Sequence, residues 1–104
     1  MKIKILDTEY EITECDIGDE RLEGIDGYSD YFGKYILLYK EYLDHASDGE
    51  KAEHKKYVLK HEIIRAFWRE CGVHRSPINE EWATNLLVVM FEKLLAAFKE
   101  AGAI

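Results

Sequence analysis

Apolar and polar residues alternate over Lys2-Ile3-Lys4-Ile5-Leu6 and again over Tyr10-Glu11-Ile12-Thr13, the pattern of strands with one buried face. The break at Asp7-Thr8 makes the two a predicted hairpin. A second pair of strand-like runs, Tyr28 to Tyr31 and Tyr35 to Tyr39, is rich in aromatic and β-branched residues. Phe32-Gly33-Lys34 separates them, and Gly33 is the expected source of the positive φ that such a turn needs. Between the hairpins, Cys15 to Gly27 is polar and holds three glycines, so it reads as a loop. Lys40 to Gly49 leads out of the sheet, with Tyr42 and Leu43 marking a part that packs.

Helical signals follow. Ser47 and Glu50 have the spacing of a capping box, and Gly72 stands where a helix running to about Cys71 would end. Ser76-Pro77 is a second start signal, a capping side chain followed by proline at the first helical position. The helix it opens runs to about Ala101 and is apolar on nearly every side from Trp82 to Phe98. Such a helix is expected to be enclosed between the sheet and the first helix. The pattern as a whole predicts one α+β domain over residues 1–104. It has a small antiparallel sheet of about four strands in two hairpins, followed by two long packed helices.

Composition changes this picture little. At 104 residues, 47% hydrophobic and 34% charged, the chain fits a single globular core. No basic segment leads into an apolar run at the start, so no signal peptide is expected. The most apolar stretch, Leu86 to Phe98, is interrupted by Glu92 and Lys93 and is short of the ~20 residues of a membrane span. Cys15 and Cys71 are expected to be idle thiols in a reducing cytosol, and a Cys71–His74 pair is too few ligands for a metal site.

Charge changes it more. The net charge of −7 is concentrated in residues 1–50, which hold 14 acids and 5 bases. Asp7, Glu9, Glu11, Glu14, Asp16, Asp19, Glu20, Glu23, Asp26 and Asp30 are relieved only by Arg21. Such a field repels nucleic acid and favours a basic partner. Tyrosines interleave with these acids, and tyrosine supplies contact area with a polar tip. The residues expected to meet a partner are Asp16, Asp19, Glu20, Glu23, Asp26, Asp30, Tyr28 and Tyr31. Core packing on the inner face of the sheet competes for at least half of the aromatic residues.

One segment suggests chemistry. In Lys60-His61-Glu62-Ile63-Ile64-Arg65-Ala66-Phe67, positions 61 and 65 project from one face of a helix. Histidine at both would converge on one zinc ion, with the glutamate between them as general base. Arg65 has no lone pair to donate and places a fixed positive charge there instead. Glu62, three residues earlier, is within reach of pairing with it. His54 lies about 10 Å along the helix from His61, too far to share an ion. A His-Glu dipeptide is cheap by composition, and taken alone a charged helix flank accounts for these residues better than a motif does.

Along its length the chain resembles a family of small proteins encoded by phages and prophages of Gram-positive bacteria, which are similar to miniature zinc peptidases. The matching segments are Met1 to Leu6, Gly27-Tyr28, Leu59 to Phe67, Glu70-Cys71-Gly72, Asn79-Glu80-Glu81 and Lys93 to Ile104. The resemblance implies a third metal ligand on the last helix, near Glu80, Glu81 or Asn85. The chain departs from the family at Arg65 and at Asn85-Leu86-Leu87-Val88-Val89, where an acidic pair is lost. What carries over is a vestigial set, His61, Glu62 and Glu81, without a catalytic residue or a cofactor.

Two function classes follow. One is a zinc-dependent metallopeptidase with a rearranged site built on His61, an acid of the last helix and His74. The other, preferred, is a binding protein on a retired peptidase scaffold. Small acidic phage-type proteins of this profile are similar to anti-CRISPR proteins, several of which occupy the basic nucleic-acid channel of a Cas9-type effector. That resemblance implies a basic nucleic-acid-handling partner in the cytoplasm of a bacterial host, with no direct contact to nucleic acid or membrane. A phage morphogenesis or regulatory factor is a further possibility.

Overall fold

The computed structural model describes residues 1–42, 47–72 and 79–102. Strands β1 (Lys2–Ile5), β2 (Thr8–Cys15), β3 (Gly27–Asp30) and β4 (Tyr35–Tyr39) form one sheet, followed by helices α1 (Asp48–Glu70) and α2 (Glu80–Glu100). The α+β class and the element order are those the sequence predicts. The sheet, however, is mixed. Its order is β1-β2-β4-β3, with β1–β2 and β3–β4 antiparallel and β2–β4 parallel.

The physical reason lies in β4. Ile36, Leu37 and Leu38 are consecutive and each at most 2% exposed, so this strand is covered on both faces. A continuous apolar run belongs in the middle of a sheet, where both faces are buried. β3, Gly27-Tyr28-Ser29-Asp30, has little to bury and takes the edge. The second hairpin therefore docks by β4, beside β2.

One face of the sheet carries Ile5, Tyr10, Ile12, Ile36 and Leu38, which pack against Leu59, Ile63 and Ala66 of α1. The other face buries Cys15 and Leu37 under Leu22. Leu22 belongs to a short 3₁₀ turn, Glu20–Leu22, inside the segment read as a loop. The Tyr39 hydroxyl donates to the Leu22 carbonyl at 2.7 Å and the Tyr42 hydroxyl to that of Asp26 at 2.6 Å, pinning the crossover to the sheet.

Turn chemistry differs from expectation in both hairpins: the first turns at Leu6-Asp7, with φ 48° and 67°, and Thr8 already belongs to β2. In the second, Lys34, not Gly33, takes the positive φ, at 57°. Gly33 is needed for space instead: a Cβ there would lie 2.5 Å from the ring of Tyr35. Asp30 closes the turn by accepting from the Gly33 amide at 2.6 Å.

Ser47 caps α1 by accepting from the Glu50 amide at 3.1 Å, and Gly72 ends it at φ 81°. At the far end Glu70 ties the helix to both hairpins. It accepts from the Tyr10 hydroxyl and from Lys34 Nζ, each at 2.6 Å, and from the Thr8 hydroxyl at 3.2 Å. These donors hold the Glu70 carboxyl below the usual range, led by Lys34.

The second helix overturns a sequence expectation. α2 packs on α1, where Trp68 Nε1 donates to Thr84 Oγ1 at 3.0 Å, but it is not enclosed between α1 and the sheet. Trp82, Val89 and Phe91 are more than half exposed. Its start is capped by Asn79, which accepts from the Trp82 amide at 3.0 Å. The predicted start at Ser76-Pro77, together with Leu43 and His74, lies outside the described residues.

Candidate functional site

The candidate site lies where β3 crosses α1. Gly27 makes the close approach possible, since a Cβ there would meet Val58 Cγ1 at 2.7 Å and Glu62 Cγ at 3.0 Å. Under the strand, Glu62 is 5% exposed. The Ser29 hydroxyl lies 2.9 Å from the Glu62 carbonyl oxygen and 3.0 Å from its Oε1. One hydroxyl proton cannot serve both oxygens at once. Ser29 is the donor in both contacts, so its proton serves the carbonyl or the carboxyl in turn. Burial pushes the Glu62 carboxyl above the usual carboxylate range, and Ser29, His61 and Arg65 only partly offset it.

His61, Glu81 and Arg65 meet at the opposite wall. His61 Nε2 is 3.8 Å from Glu81 Oε1, and the ring stacks on Tyr57 with centroids 6.5 Å apart. The Arg65 guanidinium reaches Glu80 Oε1 at 3.8 Å and Glu81 Oε2 at 3.6 Å. The expected Glu62–Arg65 pair is thus replaced: Arg65 turns to the first turn of α2, and Glu62 turns to Ser29. His54 is drawn away to Asp26 Oδ2 at 3.3 Å.

Two donors on one ion at zinc's ~2.0 Å arms stand about 3.3 Å apart. The His61–Glu81 separation comes near that spacing. The third position is taken by Arg65, whose charge neutralises the same carboxylates that a zinc ion would need. The residues present therefore do not fit zinc. Of the vestigial set, His61 and Glu81 are brought together beside the Arg65 guanidinium, while Glu62 is turned to Ser29.

A cleft of about 350 Å³ runs beside β3, lined by Tyr28, Asp30, Phe32, Glu62, Arg65 and Arg69. A smaller one of about 200 Å³ continues past Asp26, Tyr57 and His61. β3 is the outer strand of the sheet, so among the described residues no strand pairs with its outer edge.

The acidic residues expected to meet a partner divide into two groups. Asp19 clamps Arg21 at 2.8 Å and caps the 3₁₀ turn, Asp30 closes its own turn, and Tyr31 lies under Lys34 Nζ at 3.8 Å. These three are committed to local structure. Glu20, Glu23, Asp26 and Tyr28 are exposed, as is Asp16, which pairs with Lys40 at 3.1 Å across open surface. Of the acids on the first hairpin, Glu9 meets Lys2, Glu11 meets the N-terminal amine and Glu14 meets Lys55. The acidic field is therefore narrower than the sequence suggests, and centred on residues 16–26.

Ser29 and Gly27 are site residues that the sequence reading missed. Only the Gly-Tyr pair at the strand's start hinted at a close approach. Tyr10 and Tyr42 are buried, whereas Phe32 is 91% exposed. Cys15 is buried and Cys71 exposed, and both are free thiols. No described helix is long and apolar enough to cross a membrane. No protein-family model, no curated protein and no solved structure matches this chain.

Proposed function

We propose that this protein works by binding, and blocks a basic nucleic-acid-handling protein of a bacterial host, in the first instance a Cas9-type effector. The observation that carries this reading is the exposed acidic segment, Asp16, Glu20, Glu23 and Asp26, running directly into the outer edge of β3, with which no described strand pairs. An open strand edge offers backbone donors and acceptors to an extended segment of another protein. Carboxylates beside it select lysine and arginine, and they steer a basic surface into contact. Tyr28 and Phe32 supply aromatic contact area at the same edge. The likeness in size and charge to anti-CRISPR proteins supports the choice of partner.

A Cas9–guide complex captured on the immobilised protein tests the reading. Binding is expected to weaken steeply with salt. Replacing Glu20 and Glu23 with glutamine together is expected to weaken it about tenfold or more. Capture that ignores both salt and these two residues overturns the acidic mechanism, and no capture overturns the partner. The metallopeptidase alternative draws on the closeness of His61 and Glu81, but it requires Arg65 to leave its two glutamates. Zinc retained by the purified chain and lost with His61→Ala would favour it.

A further inference from the structure

We propose that a second copy of this chain covers the outer face of α2, so that the α1–α2 pairs of two copies form a four-helix bundle across a two-fold axis. α2 has two apolar faces, and α1 covers one of them. Ala83, Leu87, Met90, Leu94, Ala97 and Ala101 recur at spacings of four and three, the seam of a helix that packs against another helix. Met90 is 42% exposed and Leu94 46%, with Phe91 beside them at 54%. The seam borders an apolar groove of about 480 Å³ between α1 and α2, where Ile64 and Phe67 face Leu87 and Phe91. Lys60 and Glu92 close the groove's rim with an ion pair at 3.0 Å. A groove of this shape and polarity takes a helix.

The surface areas agree. The chain exposes 7209 Å², whereas a compact monomer of its mass, 12.2 kDa, exposes about 6,100 Å². The excess over the whole surface, about 1,100 Å², is of the same order as the ~800 Å² that each partner buries in a standard interface. The radius of gyration, 15.0 Å, is also above the ~13 Å of a compact domain of this length.

The seam also indicates which occupant and which direction. Its small residues stand at both ends and its large ones in the middle. An antiparallel copy therefore sets Ala83 against Ala101, Leu87 against Ala97 and Met90 against Leu94, twice over by symmetry. A parallel copy would stack like on like and align the helix dipoles unfavourably. An anionic membrane is a poor occupant for a chain of net charge −7.

Sedimentation equilibrium on the full chain tests this. The wild type is expected to be a dimer at micromolar concentration. Met90→Glu and Leu94→Lys should each give a monomer with unchanged far-UV circular dichroism, because both sites are exposed in the single chain. Mixing the two variants should restore a dimer, since the new charges then face each other across the seam. A monomeric wild type overturns the proposal, as does a dimer that survives either substitution or a mixture that stays monomeric. Should a charge variant lose helicity, Met90→Ala is expected to weaken the dimer about tenfold. An unchanged constant overturns the proposal equally. Binding of a foreign protein to this face in place of self-association overturns it too.

Discussion

Arginine at position 65 carries a charge that no ordinary pH removes, and its guanidinium lies within 4 Å of both Glu80 and Glu81. Changing Arg65 to histidine removes that charge and adds a donor four residues after His61, on the same helical face. The Arg65→His variant is expected to hold about one zinc ion per chain after purification without chelator. A metal content equal to that of the wild type would show that the cleft no longer has the geometry of its motif. Glu62 invites a different measurement. Its folded-state pKa is raised, so the folded chain binds its proton more tightly than the unfolded chain does. Stability from this group is then complete below the ordinary carboxylate pKa and is lost as pH rises through the folded value. Glu62→Gln keeps the neutral form at every pH. It is expected to melt higher than the wild type at pH 8 and to match it near pH 4, in thermal scans at both values. A wild type that gains on Glu62→Gln as pH rises would place a charged, paired Glu62 in the fold.

At the scale of elements, the contact between β3 and α1 rests on an absent side chain. Gly27→Ala puts a methyl 2.7 Å from Val58 Cγ1. The strand or helix must shift, at a cost of about 1–3 kcal/mol, read as a lower midpoint in urea at an unchanged slope. Val58→Ala should recover part of the loss in the double variant, because the two changes act on one contact. The elements themselves were legible in the sequence: period-two runs marked the first two strands, aromatic and β-branched runs the other two, and Ser47 and Gly72 bounded α1. The pairing of the hairpins was not. Local alternation fixes which residues form a strand, while its neighbours depend on how much each face must bury. The signal was present in Ile36-Leu37-Leu38, a run without alternation that belongs in a sheet's centre. At the candidate site, helical spacing placed His61 and Arg65 on one face. The partners of Glu62 and Arg65 came from β3 and α2, contacts between residues 33 and 15 or 16 apart that no short window reveals.

For the whole molecule, the same kind of limit governed α2. An all-round apolar helix must be covered, and the sequence supports that inference. It does not say that the cover belongs to the same chain. With 104 residues and one sheet face already filled by α1, the chain has no further element to place on the outer side of α2 among those described. If a second copy supplies it, unfolding becomes bimolecular in reverse, and stability depends on concentration. A tenfold dilution removes about 1.4 kcal/mol from the folded dimer. Spread over the unfolding entropy of two chains of this length, that lowers the melting temperature by about 3 °C. Scans at three concentrations a decade apart should show this spacing for the wild type. Met90→Glu should melt lower, and at one temperature throughout, since an isolated chain has no partner to lose. A wild type whose melting temperature ignores concentration would leave Met90, Phe91 and Leu94 facing water.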